Sequence, residues 1–283
     1  PDFGDLDIIV SSAIPNWEQI RLEIIRDLGI IQYKSIGHVF STVYQNFQVD
    51  YFVVPPKHFE STYNFFCFND LGNLLGKICR RFNLKYGEQG LAYVFRRDDD
   101  NYKKDIILTK DFAEICQFLE VDYQKWRAGF ANLEEMFEWA IASPYFSLEP
   151  YLKPSKTLEN RAKDRRTIQK FIEFLHEKKI TKTYQYLKNR DDYLPWVAEN
   201  FPEADLLEKI AQEKELENRE NQIKAKFNGK LLMKLLPHLE GKKLGEFIVG
   251  FKKSFEDFEW FILENSPEEI NRRIFDFSRN FNQ

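Results

Sequence analysis

The pattern of apolar and polar positions changes character part-way along the chain. In the first part, short apolar runs rich in Val, Ile, Tyr and Phe are separated by turn residues, which predicts strands. These strands are predicted at residues 5–10, 30–35, 39–44, 48–54, 84–96 and 104–108. Apolar residues spaced three and four apart predict helices over 17–29, within 57–66 and 70–82, and over 109–119 and 132–143.

Strand signals vanish after residue 155, and the remaining pattern predicts helices throughout. These are predicted at residues 155–179, 182–188, 193–200, 204–226, 229–236 and 244–265, with a last helix starting at the 266–269 cap. Pro144, Pro150 and Pro154 lie where the pattern changes. We therefore expect an α/β (α+β) domain with a mixed twisted sheet over residues 1–150, followed by an all-helical domain over 151–283.

Composition narrows the class of protein without naming a function. The chain has 283 residues, with 43% hydrophobic and 30% charged residues, which is ordinary for a soluble globular protein. No apolar run approaches the ~20 residues that span a bilayer, so no membrane partner is expected. The three cysteines lack metal-type pairing and read as reduced thiols, which favours a cytoplasmic location. The net charge of −4 means that any nucleic-acid contact must be a local basic patch.

Carboxylates inside apolar, strand-like sequence are the main chemical signal. Asp5 and Asp7 are two residues apart and would project from one face of a strand. Asp50 lies within a second such run, 49–54. An Asp-x-Asp pair often only opens a turn, but carboxylates converging from adjacent strands would repel one another without a cation. Oxygen-only ligands favour Mg²⁺ or Mn²⁺, and two such ions sharing carboxylates form the clamp used in phosphoryl or nucleotidyl transfer.

Three linked motifs resemble the DNA polymerase beta superfamily of nucleotidyltransferases, most closely the palm and fingers of family X DNA polymerases. Gly4-Asp5-Leu6-Asp7-Ile8 is similar to the family's G-D-x-D metal motif. Residues 49–56, Val-Asp-Tyr-Phe-Val-Val-Pro-Pro, are similar to its third-aspartate strand, and residues 83–88 to its Leu-Asn-Glu-Tyr-Gly turn. The resemblance extends from residue 4 to about residue 123.

The resemblance implies an enzyme that transfers a nucleotidyl group from an NTP or dNTP to a 3′-hydroxyl. It implies that Asp5, Asp7 and Asp50 are catalytic and hold two Mg²⁺ or Mn²⁺ ions. It also implies nucleotide contacts for a set of residues near these motifs: Gly4, Phe65, Phe66, Asn69, Asn73 and Lys77.

Some positions depart from the family. Phe68 and Asn69 stand where the family has Gly-Ser, which leaves the choice between ribose and deoxyribose open. The family's triphosphate-binding segment would lie upstream of residue 1, and no helix-hairpin-helix motif is visible. Template-independent addition to RNA 3′ ends, a small-molecule acceptor and a non-catalytic nucleotide- or nucleic-acid-binding module therefore remain as alternatives.

A basic stretch over residues 153–190 is the candidate contact for nucleic acid. Its core is predicted to be Lys163, Arg165, Arg166 and Lys170. The aromatic residues Phe171, Tyr184 and Tyr186 are interleaved with the basic ones, as in stacking surfaces for unpaired bases. Acidic residues in the same stretch dilute its charge. The sequence leaves the oligomeric state open.

Overall fold

The computed structural model describes residues 4–97, 103–152, 156 and 165–281. The chain forms two compact units, Pro1–Leu206 and Leu207–Gln283. The predicted boundary near residue 150 therefore falls inside the first unit. Both helices and sheets are present, so the predicted mixture of α and β structure is confirmed.

A four-stranded mixed sheet opens the first unit. It contains β1 (Asp5–Ser11), β2 (Tyr33–Ile36), β3 (Val39–Tyr44) and β4 (Phe47–Val54) in the order β1-β4-β3-β2. Strand β1 runs parallel to β4, and the other neighbours are antiparallel. Helix α1 (Ile14–Asp27) supplies the connection that follows β1.

One face of this sheet forms a hydrophobic core with α1. The buried residues of that core are Trp17, Phe40, Val49 and Tyr51, with Ile8, Val10, Ile20, Ile24, Ile25 and Val53 packed against them. Because successive strand residues point to opposite faces, the residues between these apolar positions lie on the other face. That alternation leaves one face of β1 and β4 available for polar side chains.

A second sheet is antiparallel and follows two helices. Helices α2 (Phe59–Phe66) and α3 (Leu71–Cys79) precede β5 (Leu84–Gly87), β6 (Gly90–Arg96) and β7 (Lys103–Thr109). The single strand predicted over 84–96 is thus two strands joined by a tight turn. At that turn Gly90 has φ +97°, and a Cβ there would lie 2.3 Å from the Thr109 carbonyl oxygen, so only glycine fits.

Short helices complete the first unit, most of them where the pattern places them. They are α4 (Phe112–Phe118), α5 (Tyr123–Ala128), α6 (Leu133–Ala142), α7 (Glu149–Leu152), α8 (Arg166–Glu177) and α9 (Leu194–Asn200). Side chains of Asp111, Asp122 and Asn132 accept hydrogen bonds from the first turns of α4, α5 and α6. Helix α5 was not predicted, although its capping aspartate is a usable signal.

The helix predicted over 182–188 is wrong. Thr183 instead pairs with Ser147 in an isolated antiparallel bridge. Tyr184 and Tyr186 pack against Phe82, with ring centroids 6.3 and 5.3 Å away. Aromatic residues two apart suit an extended segment, and here their packing decides the backbone conformation.

The second unit contains only helices among the residues described up to 281. These are α10 (Leu206–Lys226), which begins at the unit boundary, α11 (Gly229–Leu235), α12 (Gly241–Lys253), α13 (Phe258–Glu264) and α14 (Pro267–Phe281). The helix predicted over 244–265 is two helices, because α12 ends at Lys253, with Ser254 as its C-cap, and Asp257 caps the start of α13. The core of this unit includes Phe247, Phe251, Ile262, Ile270 and Ile274, all fully buried.

Candidate metal centre

The three predicted aspartates lie together on the polar face of the first sheet. The parallel register pairs Asp7 with Asp50 and Asp5 with Gln48 across β1 and β4. Asp5 and Asp7 share a face because they are two residues apart. Oxygen atoms of the three carboxylates all lie within 4.8 Å of one another. Within the described parts of the chain this is the one group of three or more acidic, His or Cys side chains so arranged.

Aromatic side chains pack together on the same face of the first sheet as the aspartates. Phe52 lies two residues beyond Asp50 on β4 and therefore on the same face. Its ring packs against Phe66 of α2 at 4.4 Å between centroids. Phe66, predicted to lie near the nucleotide, therefore packs against the strand that carries Asp50.

Electrostatic repulsion within this cluster is substantial. The pKa of Asp7 is raised from 3.8 to about 6, first by burial and then by the negative charges of Asp5 and Asp50. The positive charge of Arg165 acts in the opposite direction and lowers it. A cation bound among these carboxylates would relieve the repulsion and favour the ionised form of Asp7.

Gln48 is a member of the site that the sequence reasoning missed. Its Nε2 donates hydrogen bonds to both carboxylate oxygens of Asp50, at 3.1 and 3.0 Å. The sequence could have indicated this contact, because Gln48 is two residues before Asp50 and so shares its face of β4. The amide holds the Asp50 carboxylate in place by a neutral contact that a cation can replace.

A second polar cluster lies at the start of α3. The Asp70 carboxylate is almost fully buried, and its Oδ1 accepts hydrogen bonds from Asn73 Nδ2 at 3.0 Å and Arg165 Nη1 at 2.5 Å. Asn73, predicted to contact the incoming base, is thus held by Asp70. Arg165, predicted to contact nucleic acid, is tied to Asp70, and its charge acts on Asp7. Asp70 was not predicted, because nothing local distinguishes it from a turn residue.

The remaining predicted nucleotide contacts lie around α2 and α3. Gly4 is exposed and directly precedes β1. Phe65 packs edge-on against Tyr86 at 5.4 Å. Asn69 is exposed in a left-handed turn, with φ +61°, between α2 and α3. Lys77 lies over the ring of Tyr151, with its Nζ 5.2 Å from the ring centroid.

The residues predicted to contact nucleic acid lie in different surroundings, where the structure describes them. Arg166 and Lys170 are exposed, four residues apart on α8, and so lie on one face of that helix. Lys163 lies outside the described residues. Phe171 is 1% exposed and belongs to the core. Tyr184 and Tyr186 pack against the buried ring of Phe82, as described above. These aromatic residues therefore do not form an open stacking surface.

The donor set of the carboxylate cluster suits a hard divalent cation. All of its ligand atoms are carboxylate oxygens, which Mg²⁺ and Mn²⁺ prefer over nitrogen or sulfur. Clustered carboxylates that share a surface can hold one ion or two. The cluster could therefore hold a divalent metal ion.

Comparisons with protein-family models, with curated proteins and with solved structures give no significant match to this chain. In the described part of the chain, no helix is both long enough and apolar enough to cross a bilayer.

Proposed function

We propose that the protein is a metal-dependent nucleotidyltransferase that adds nucleotides from an NTP or dNTP to the 3′-hydroxyl of a nucleic acid. The observation that carries the proposal is the convergence of Asp5, Asp7 and Asp50 from two parallel strands onto one face. The resemblance of these residues and their flanking motifs to the polymerase beta superfamily supports it further.

The resemblance to the polymerase beta superfamily implies a role for each aspartate. Asp5 and Asp7, from β1, would hold the metal that accompanies the triphosphate, and Asp50, from the neighbouring strand β4, would join them in holding a second ion. Mg²⁺ bound there would supply charge neutralisation of the triphosphate and a lower pKa of the attacking hydroxyl. Asp50, beside the acceptor hydroxyl, takes up its proton. Asn73 and Lys77 border the position of the incoming base.

Mutually repelling carboxylates argue against a purely structural role. An arrangement that raises the pKa of Asp7 to about 6 costs stability at neutral pH unless a cation compensates it. A binding module without metal gains nothing from keeping all three carboxylates. The enzyme is therefore the function that best explains the cluster.

A primer-extension assay tests the proposal. Labelled DNA and RNA primers, with and without a template, are incubated with each NTP or dNTP in Mg²⁺ or Mn²⁺. We expect extension by the wild type, loss of at least about a thousandfold in Asp7→Asn, since a metal ligand is removed, and no loss in Asp27→Asn. Asp27 is a suitable control because it is exposed on α1 and paired with Arg26.

The productive primer and nucleotide then identify the acceptor and sugar. Extension without a template would favour the RNA 3′-end alternative. Absence of extension from every primer, together with unaltered folding, would refute transfer to nucleic acid and leave the small-molecule acceptor or the binding module.

A further inference from the structure

A large cavity lies in the first unit, over the second sheet and α3. Its volume is about 910 Å³. Its charged lining is predominantly basic and comes from several elements: Lys77, Arg80, Lys85, Arg96 and Arg190. Asn73, which is hydrogen-bonded to Asp70, also lines it, so the cavity adjoins the polar cluster at the start of α3.

The two acidic residues that line the cavity, among those described, already have side-chain partners. Glu88 Oε2 lies 2.8 Å from His38 Nε2. Asp105 forms an ion pair with Lys85. Neither of these two carboxylates forms an ion pair with an arginine of the cavity lining.

Three guanidinium groups, those of Arg80, Arg96 and Arg190, form an arginine corner of the cavity. All three residues are exposed, and none of them forms an ion pair with a carboxylate of the described residues. Although the Arg190 side chain is largely exposed, partial desolvation and then the positive charges of Arg81, Arg96 and Arg80 lower its pKa, so these groups repel one another. Although the net charge of the chain is −4, this local concentration of positive charge attracts anions.

The arginine corner is held in place by a hydrogen-bonded network. Asn83 donates to Asp191 Oδ1 at 3.0 Å, and Tyr93 donates to the same atom at 3.3 Å. Arg96 Nη1 donates to Asn83 Oδ1 at 2.5 Å. The segment that carries Arg190 is therefore fixed to the sheet that carries Arg96, although the two are far apart in sequence. Such preorganisation is characteristic of binding sites.

We propose that the arginine corner binds the phosphodiester backbone of a single nucleic-acid strand that occupies this cavity. Guanidinium groups match phosphate oxygens in charge and in forked geometry. The cavity is larger than a phosphate group needs, so bases of the same strand can occupy the rest of it. The proposal rests on the proposed function, since it supplies the site that holds the nucleic-acid substrate.

Binding of a labelled single-stranded oligonucleotide, measured by fluorescence anisotropy in EDTA, tests the proposal without requiring turnover. The test variant is Arg80→Gln/Arg190→Gln. The control, Arg26→Gln/Arg127→Gln, removes the same charge from two exposed arginines that do not line the cavity. Salt titrations with DNA and RNA strands are run on all three proteins.

We expect the test variant to bind about tenfold or more weakly than the wild type, because charge-assisted contacts are lost. The slope of log K against log salt should fall by about 0.7 for each phosphate contact removed. The control should match the wild type. Arg80→Lys/Arg190→Lys, which keeps the charge, should retain the salt slope and so distinguish lost charge from altered folding.

Several results would overturn the proposal. The first is failure of the wild type to bind any strand, and the second is equal binding by the test and control variants. The third is a combined result, in which metal-free ATP displaces the strand completely and the affinity for the strand does not depend on its length. The last result would assign the corner to a free triphosphate. Loss of strand binding in the test variant alone, with no turnover by the wild type, would support this site and refute the proposed function.

Discussion

Replacing Asp7 by asparagine should stabilise the metal-free protein while abolishing nucleotidyl transfer. Burial and the charges of Asp5 and Asp50 raise the pKa of Asp7 from 3.8 to about 6. Without screening by solvent, this difference in pKa corresponds to about 3 kcal/mol of unfavourable free energy in the ionised folded state. Asp7 keeps substantial access to solvent, which screens the interaction, so about 1 kcal/mol is the expected effect.

The sign of the pH dependence follows from proton binding. Between pH values of about 4 and 6 the folded protein retains a proton on Asp7 that the unfolded chain has released. Stability of the wild type therefore falls as the pH rises through this window. Asparagine mimics the protonated carboxyl group at every pH. The variant should thus be more stable than the wild type above pH 6 and equal to it below about pH 4.

Urea denaturation in EDTA at a series of pH values measures this difference, with Asp27→Asn as the control. Addition of Mg²⁺ should then stabilise the wild type by mass action and leave Asp7→Asn little changed. Our reasoning about the cluster fails if Asp7→Asn is destabilised at pH 7.5 in EDTA. It also fails if the stability difference does not depend on pH, or if Mg²⁺ stabilises both proteins equally.

Three further substitutions test separate parts of the structure. Tyr86→Phe should leave stability unchanged or raise it by up to about 1 kcal/mol, because the buried hydroxyl has no hydrogen-bond partner in the described structure. Arg165→Gln should lower stability by about 1 kcal/mol, because it removes the ion pair of the buried Asp70. Gly90→Ala should cost more than about 2 kcal/mol, since its Cβ would meet the Thr109 carbonyl at φ +97°.

Urea denaturation at neutral pH measures all three, and each has a contradicting result. A loss above about 1 kcal/mol in Tyr86→Phe would mean that the hydroxyl has a partner. Unaltered stability of Arg165→Gln would show that the contact with Asp70 contributes nothing, and Arg166→Gln, on the exposed face of α8, is its control. A neutral Gly90→Ala would refute the tight turn, for which Gly87→Ala is a control, because no atom lies within 4 Å of its added Cβ.

Elements set by local sequence were predicted well, and elements set by distant packing were not. Alternating apolar residues and capping side chains placed β3 and β4 and helices α4 and α6. The segment 182–188 failed because its tyrosines pack around Phe82, about a hundred residues earlier in the chain. Helix propensity there is weaker than the free energy gained by burying aromatic rings.

In the candidate site, too, the contacts set by local sequence were predicted and those set by distant packing were not. Convergence of the three aspartates requires only strand alternation and one parallel pairing, and both leave traces in the sequence. The cationic side chains around them depend on long-range packing. Arg165 reaches an aspartate 95 residues away, and Asp191, next to Arg190, is bonded to an asparagine 108 residues away. No local pattern reports either contact.

The distribution of charge links the two proposals. The carboxylate cluster of Asp5, Asp7 and Asp50 attracts cations, whereas the arginine corner of Arg80, Arg96 and Arg190 attracts phosphates. A polynucleotide acceptor and a metal-bound triphosphate present the matching charges, because the triphosphate is neutralised by metal and the strand by arginine. Removal of the corner should therefore raise the KM for the primer and leave the KM for the nucleotide unchanged. A matched rise in both would show that the two sites are not separate.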